Sequence, residues 1–207
     1  MNDGTSAGID ALLEFWFGEL VDGLCPDQRR AALFRTDPAF DAEIRASFGT
    51  EVTAAVAGEL DHWVTTVRGR AALILLLDQF PRNLHRGAAE AFSGDAHALE
   101  LARGGVVLGD DRKLPTEMRA FFYLPFEHSE SLADQETCVE LLTRMRDELS
   151  PASRAQEVAE GYLRHARDHH ALIAEFGRFP HRNAVLGRAD TAAEAAWRER
   201  DGRTFGQ

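Results

Sequence analysis

Apolar residues recur along most of the chain at the three- and four-residue spacing that is typical of amphipathic α-helices. Near the N-terminus this spacing is followed by Ile9, Leu12, Leu13, Trp16, Phe17 and Leu20. Residues 69–79 are apolar on almost every side, which predicts a helix that is buried from several directions. No segment of the sequence convincingly alternates apolar and polar residues as a half-buried strand would. The pattern therefore predicts an all-α protein.

Residues that favour helix ends divide the chain into roughly nine predicted helices. Predicted starts lie at Asp37-Pro38, Ser93, Pro115, Ser131, Ser150-Pro151 and Thr191. Predicted ends lie near Gly49, Val107, Leu149 and Gly177. Pro125 is expected to bend or stop the helix that contains it. Most connections are short and no low-complexity linker interrupts the chain, so we expect one helical domain over residues 1–207.

Charge and composition narrow the classes of function. The formal net charge is -11, so nucleic acids and anionic membranes would repel the chain. Cys25 and Cys138 are too few for a disulfide framework or a cysteine zinc site. The longest apolar run, residues 71–77, is too short to cross a bilayer, and the N-terminal segment lacks the basic leader of a signal peptide. We expect a cytoplasmic protein that binds neither nucleic acids nor membranes.

One carboxylate ends the helix that is predicted to be buried on all sides. Asp78 opposes the helix dipole at this position, and its unpaired burial would cost several kcal/mol. It therefore needs a cation, either Arg82, which is close in sequence, or Arg119 across the core. The resulting pair is either a structural brace for the turn or a carboxylate that is held in a cleft as a base or ligand.

Two histidines fall within the apolar face of the long helix that is predicted after Ser150. The apolar face consists of Val158, Tyr162, Leu172 and Phe176. His165 and His169 lie in the middle of this face and are four residues apart, so their side chains are neighbours. An inward pair of this kind binds a metal if other helices supply further ligands. The alternative is a pair of hydrogen-bonded histidines in the core.

Residues 121–135 combine a strongly apolar helix end with a histidine between carboxylates. Glu127, His128 and Glu130 lie within four consecutive positions. The ordinary pKa of histidine suits proton transfer near neutral pH, so this group can supply an acid–base pair or metal ligands. The alternative is a solvated loop with capping roles. Gln135 falls near the apolar side of the next helix and needs polar partners there.

A short phrase occurs twice, as DQFPRNLHRG at residues 78–87 and as GRFPHRNAVLGR at residues 177–188. Each copy gathers arginines and a histidine beside a proline that can open a short helix. Arginines next to free helix N–H groups bind carboxylate or phosphate. Alternatively, they bind helix-end carbonyls and buried acids. We predict that the two phrases form two halves of one polar site.

Four segments together resemble the bacterial family called domain of unknown function 924. They read LLEFWFG, AALILLLDQFPRNLHRG, FFYLPFEHSESLADQE and HHALIAEFGRFPHRNAVLGR, in this order between about residues 9 and 188. The resemblance implies an all-α, single-domain, tetratricopeptide-like superhelix, and it implies no activity. Glu127 stands where an apolar residue is expected, and His165 matches no family position.

Two functions fit these features. The first is an enzyme or ligand-binding protein with one polar pocket for an anionic small molecule. The candidate catalytic residues are Asp78, His128, His169 and His181. The candidate ligand-binding residues are Arg82, Asn83, Arg119, Gln135, Arg182 and Asn183. The candidate ligands of a divalent metal cofactor are His128, Glu130, His165 and His169. The second function is a protein-interaction scaffold in which the polar motifs only brace the loops.

Overall fold

The computed structural model describes residues 3–201 of the chain. Its α-helices are α1 (Asp3–Phe17), α2 (Asp27–Leu33), α3 (Pro38–Val56), α4 (Val67–Asp78), α5 (Phe80–Leu84), α6 (Asp95–Leu108), α7 (Thr116–Glu127), α8 (Leu132–Glu148), α9 (Arg154–Phe176) and α10 (Ala192–Arg200). Short 3-10 turns lie at Asp61–Thr65, Ala89–Phe92, Asp111–Lys113 and Pro180–Arg182. The prediction of an all-α protein is confirmed, and the superhelical arrangement stays a prediction. Among the helices of residues 3–201, none has both the length and the apolar character needed to cross a membrane.

Helix α4 lies at the centre of the fold. Every residue from Gly69 to Asp78 is buried, and α4 packs against α1, α3, α6 and α7. A helix that is apolar around its whole circumference can be covered on all sides. Burying one large aliphatic side chain contributes roughly 1.5–3 kcal/mol, so this helix favours burial strongly enough to carry Asp78 inside with it.

Helix α7 is the second buried helix, and it packs against α4, α6, α8 and α9. Helix α6 approaches α7 closely because Gly105 has no side chain. A Cβ atom at Gly105 would lie 2.3 Å from Cζ of Phe122 and 2.7 Å from Cδ of Arg70. Helix α7 also packs against α9, and residues of both helices line the candidate site.

Several helix boundaries differ from the predicted ones. Helix α3 continues past Gly49 to Val56. Helix α7 runs through Pro125, because contacts with four neighbouring helices outweigh the one backbone hydrogen bond that proline removes. Helix α9 begins after Ser153, whose hydroxyl accepts the N–H of Gln156, and therefore not after Ser150.

Two predicted caps are confirmed. The Asp37 side chain accepts backbone N–H groups at the start of α3, with Pro38 in the first turn. Thr191 and Glu194 form a reciprocal capping box at the start of α10. Ser131 precedes α8 as predicted but makes no side-chain capping bond. Because a cap depends on residues within three positions, the sequence could predict those at Asp37 and Thr191.

Candidate functional site

A partly open cavity of about 640 Å³ lies between α2, α5, α7 and α9, and its volume is typical of small-molecule sites. Its polar end is lined by Gln79, Arg82, Asn83, Arg86, Glu127, His128, His165 and His169. Its apolar side chains are Leu33, Phe34, Leu124, Val158 and Tyr162. Further charged lining residues are Asp27, Arg30, Arg154, Glu157 and Arg164.

Asp78 is completely buried and organises the polar end. Its Oδ1 lies 2.7 Å from Nδ1 of His128 and 3.4 Å from Nη1 of Arg82. Its Oδ2 accepts a 2.5 Å hydrogen bond from Nε2 of Gln79. Of the two cations that the sequence offered for Asp78, Arg82 is the one that pairs with it. The alternative cation, Arg119, binds other residues.

The chain turns sharply at this point. Helix α4 ends at Asp78 and α5 begins at Phe80, with Pro81 in its first turn, where the missing N–H of proline is tolerated. Arg82 therefore comes one helical turn after Asp78, close enough to bind it. His128 follows the last residue of α7 as its C-cap residue, so a helix end directs the imidazole towards the buried carboxylate.

The two copies of the repeated phrase meet at Asp95, the first residue of α6. Its carboxylate accepts hydrogen bonds of 2.9 and 3.0 Å from Arg82 of the first copy. Arg182 of the second copy lies 3.6 Å from the same carboxylate and donates a 3.0 Å hydrogen bond to the backbone oxygen of His128. The two phrases therefore meet in one polar cluster, but they do not form two halves of the cavity lining. The first copy lines the cavity, whereas Arg182 braces His128 from behind.

Neighbouring charges set the protonation of the Asp78–His128 pair. Burial by itself would raise the pKa of Asp78, but His128 and Arg82 outweigh it and hold this pKa below the ordinary 3.8. Burial and the positive charge of Arg82 lower the pKa of His128 from 6.5. At neutral pH, Asp78 is therefore ionised and His128 is neutral. Because an ionised carboxylate only accepts hydrogen bonds, the His128 proton lies on Nδ1 and leaves Nε2 as a base.

Glu127 has the opposite electrostatic environment. It is buried, and Oε2 has no hydrogen-bond partner among the described residues. Burial, together with the negative charges of Asp78 and Asp168, raises the pKa of Glu127 from 4.5 to about 8. Its carboxyl group is therefore largely protonated at neutral pH and can donate a proton. Glu127 is the family departure noted in the sequence, where it belonged to the group Glu127, His128 and Glu130 but not to the final sets of candidate catalytic, ligand-binding or metal-binding residues.

The histidine pair of α9 is divided between the interior and the surface. His169 is buried, and burial lowers its pKa well below 6.5. Its Nδ1 lies 2.9 Å from the backbone oxygen of His165 and 3.2 Å from Oε1 of Glu127. The prediction that His165 also points inward is wrong, because the buried face of α9 passes through Leu163 and Ala166 instead. His165 is exposed at the rim of the cavity.

The four candidate metal ligands are not assembled as one set. Glu130 binds Arg188 at 2.7 and 2.9 Å and accepts the N–H of Phe179. His128 Nδ1 faces Asp78, and His165 lies at the rim. In the described range 3–201, no three His, Cys, Asp or Glu side chains are grouped as ligands for one metal ion.

Two candidate ligand-binding residues lie away from the cavity and have structural partners. Arg119 donates hydrogen bonds to Tyr123 at 2.7 Å and to Glu148 at 2.6 Å. Gln135 donates a 2.6 Å hydrogen bond to the backbone oxygen of Glu127 and so caps the end of α7. Gln135 therefore supports the site from outside, whereas Arg119 braces another part of α7.

The residues of the second copy of the phrase contact other parts of the fold and do not line the cavity. Asn183 donates a 2.7 Å hydrogen bond to Asp190. The ring of His181 packs against Phe179 at 5.3 Å. Neither His181 nor Asn183 lies at the cavity surface. Arg182 is connected to the site only through its hydrogen bond to the backbone oxygen of His128.

Glu117 supports the other end of the cavity, and no feature of the sequence predicted this role. It is fully buried and accepts a 2.6 Å hydrogen bond from the hydroxyl of Tyr162 and bonds of 2.8–3.1 Å from Arg30. It also accepts the N–H of Cys25 at 3.3 Å. Arg30 and Tyr162 are 87 and 45 residues away in sequence. No local motif signals contacts at such separations.

Replacing Glu127 with glutamine is expected to change how stability depends on pH. The folded state keeps the Glu127 proton up to about pH 8, whereas the unfolded chain releases it near 4.5, so wild-type stability is lost as the pH rises through this range. His128 and His169 are present in both proteins, so their titration largely cancels in the comparison. Between about pH 6 and 7, the wild type should lose about 1.4 kcal/mol per pH unit relative to Glu127→Gln, and this slope should fall to about half near pH 8 as Glu127 ionises in the folded protein.

Urea unfolding at a series of pH values measures this difference. Parallel stability curves for the wild type and Glu127→Gln would show that Glu127 is ionised in the folded protein. Glu157→Gln is the matched control, because Glu157 also lines the cavity but is exposed. It should follow the wild-type curve.

Comparison with known proteins confirms the family resemblance. The model of a bacterial protein family of unknown function, DUF924, matches residues 12–202. No curated protein matches the chain significantly. Among solved structures, the chain is similar to a protein of unknown function from Agrobacterium tumefaciens, with 34% sequence identity and a TM-score of 0.78. That similarity covers 95% of this chain and 99% of the other chain.

Proposed function

We propose that the chain, which belongs to the DUF924 family of bacterial proteins of unknown function, is an enzyme. Its substrate is a small anionic organic molecule that binds in the cavity between α2, α5, α7 and α9. His128 removes a proton from this molecule, and Glu127 donates one.

The observation that carries this proposal is the Asp78–His128 pair at the cavity wall. A buried carboxylate 2.7 Å from Nδ1 holds the imidazole in one orientation and one tautomer. Nε2 is then the basic nitrogen, and the carboxylate stabilises the imidazolium that forms when Nε2 takes a proton. A purely structural histidine would not need a place at the surface of a cavity.

Glu127 supplies the matching acid. It is adjacent to His128 in sequence, and both side chains line the cavity. Their environments raise the pKa of Glu127 and lower the pKa of His128. Two neighbouring groups, of which one is neutral and basic and the other is protonated and acidic, are the arrangement that general acid–base catalysis requires.

The charge of the lining favours an anionic substrate. Five arginines line the cavity, namely Arg30, Arg82, Arg86, Arg154 and Arg164, against the three acids Asp27, Glu127 and Glu157. One of these acids, Glu127, is largely protonated at neutral pH. Arg82 and Arg86 are held from behind by Asp95 and Asp41, which fixes their positions without filling the cavity. Fixed guanidinium groups in a partly enclosed site bind carboxylate or phosphate well.

A metabolite-profiling experiment tests the proposed enzyme. The purified protein is incubated with a bacterial metabolite extract, and mass spectrometry follows which compounds disappear and which form. The wild type should convert at least one anionic compound. His128→Gln should slow the conversion by roughly 10²- to 10⁴-fold, which is the usual contribution of a positioned acid or base.

The control variant is His62→Gln, which replaces an exposed histidine outside the cavity and should leave the conversion unchanged. With increasing pH, the rate should first rise, at a pH below about 6.5, as His128 loses its proton. It should then fall near pH 8 as Glu127 ionises. If the wild-type and His128→Gln extracts are indistinguishable, the proposal is wrong and the scaffold function gains support.

A further inference from the structure

The cavity has an aromatic end that acid–base chemistry does not use. Phe34, directly after α2, lines the cavity and is 53% exposed. Its ring stacks on Phe121, with 5.6 Å between ring centroids and 25° between ring planes, and it meets Tyr162 edge-on at 6.0 Å. The neighbouring rings cover part of Phe34. The remaining exposed surface of a large aromatic ring at a cavity wall is a platform for another ring or apolar group.

This platform lies far from the acid–base residues. Along α7, Phe121 and His128 are seven residues apart, which is roughly 10 Å at the rise of an α-helix. Along α9, Tyr162 and His169 have the same separation. Phe121 and Tyr162 both contact Phe34, whereas the rings of His128 and His169 lie 6.3 Å apart at the other end. A ligand that touches both ends must therefore be elongated.

A cation lies beside the aromatic end, on the wall formed by α9. Arg164 lines the cavity from α9, two residues after Tyr162 and five residues before His169. Its Nη2 lies 3.9 Å from the position that a Cβ atom of Gly161 would occupy, so the guanidinium lies along this part of the wall. The other lining arginines are engaged with carboxylates, whereas Arg164 forms no ion pair with any residue in the described range 3–201.

We propose that the ligand is an elongated carboxylic acid with an aromatic ring at one end. The ring stacks on Phe34, the carboxylate pairs with Arg164, and the rest of the molecule extends towards Glu127 and His128. Only the role of the last part rests on the proposed enzymatic function. The binding of the ring and of the carboxylate is independent of any reaction.

Isothermal titration calorimetry with two acids tests this ligand class. The probes are 4-phenylbutyrate and butyrate, which differ only in the phenyl ring. The wild type should bind 4-phenylbutyrate about tenfold more tightly, since a stacked ring contributes roughly this factor together with its buried area. Phe34→Ala should remove most of the difference between the probes. Phe34→Leu keeps apolar contact with Phe121 without a ring and should remove part of it.

The carboxylate is tested separately. Arg164→Gln should weaken both acids by the same factor, up to about fivefold for a partly exposed ion pair. Arg68→Gln is the matched control, because Arg68 is exposed and pairs with Asp10 away from the cavity. It should bind both acids as the wild type does. Unfolding midpoints of all variants are measured first, so that a folding defect is recognised.

Three outcomes would overturn the ligand class. They are no binding of 4-phenylbutyrate at millimolar concentration, no preference for it over butyrate in the wild type, and an unchanged preference in Phe34→Ala. These results are separable from the test of the enzyme. A protein that prefers 4-phenylbutyrate but converts no metabolite would refute the acid–base function alone. A protein that converts metabolites but ignores the ring would refute the ligand class alone.

Discussion

Replacing Asp78 with alanine is expected to lower the free energy of unfolding by about 3–5 kcal/mol, the usual cost of removing one member of a buried charge cluster. Asp78 is fully buried and contacts His128, Arg82 and Gln79. Without it, the donors on these residues lose their acceptor inside the protein. Because the folded-state pKa of Asp78 lies below 3.8, this contribution is present above about pH 4 and is lost as the pH falls further.

Urea unfolding at pH 7, followed by circular dichroism and linear extrapolation, measures this loss. Asp61→Asn is the control, since Asp61 is an exposed carboxylate that lies 3.3 Å from His97. Its effect should stay below about 1 kcal/mol, as is usual for exposed pairs. An Asp78→Ala midpoint equal to that of the control would mean that Asp78 is protonated or solvated in the folded protein.

Replacing Glu117 with alanine is expected to have the second largest effect, about 3 kcal/mol, and to loosen the cavity wall. The change leaves the buried hydroxyl of Tyr162 and the guanidinium of Arg30 without their shared acceptor. Arg30 is the residue through which α2 is held to α7, and α2 makes few contacts with other helices. Hydrogen exchange of residues 25–34 should therefore accelerate more than exchange elsewhere in the chain.

Hydrogen-exchange mass spectrometry separates this local effect from a general loss of stability. Uniform acceleration over all helices would contradict a specific role of Glu117 in holding α2. Asp61→Asn, which alters an exposed carboxylate 3.3 Å from His97, should leave the exchange of residues 25–34 unchanged. The wild type with bound 4-phenylbutyrate should show slower exchange in the same segment, since Phe34 lies at its end.

The sequence predicted best those features that depend on neighbouring residues. The cap of α3 at Asp37 and the capping box of α10 at Thr191 each need side chains and backbone groups within three positions. The cation for Asp78 was also found, because Arg82 follows one turn later. The passage of α7 through Pro125 could not be predicted, since it depends on four helices that pack around α7.

The candidate site was predicted in part, and the misses have one common cause. Of the candidate residues, His128, His169, Arg82 and Asn83 line the cavity. Arg119 and His181 are equally polar residues near apolar segments, yet their partners lie elsewhere. Whether a polar side chain faces a cavity or a structural partner depends on the rotation and packing of its helix, which a single sequence leaves undetermined.

The sequence by itself determined that the chain is all-α, that α4 is buried, that Asp78 needs a cation and that the chain resembles its family. These follow from apolar periodicity, local capping and the quoted motifs. Only the tertiary structure decided that the two phrases meet at Asp95, that Glu127 is held as an acid beside His128 and that Phe34 faces the cavity. The physical reason is that pKa values and open ring faces depend on burial and on charges from distant segments, which come together only when the helices pack.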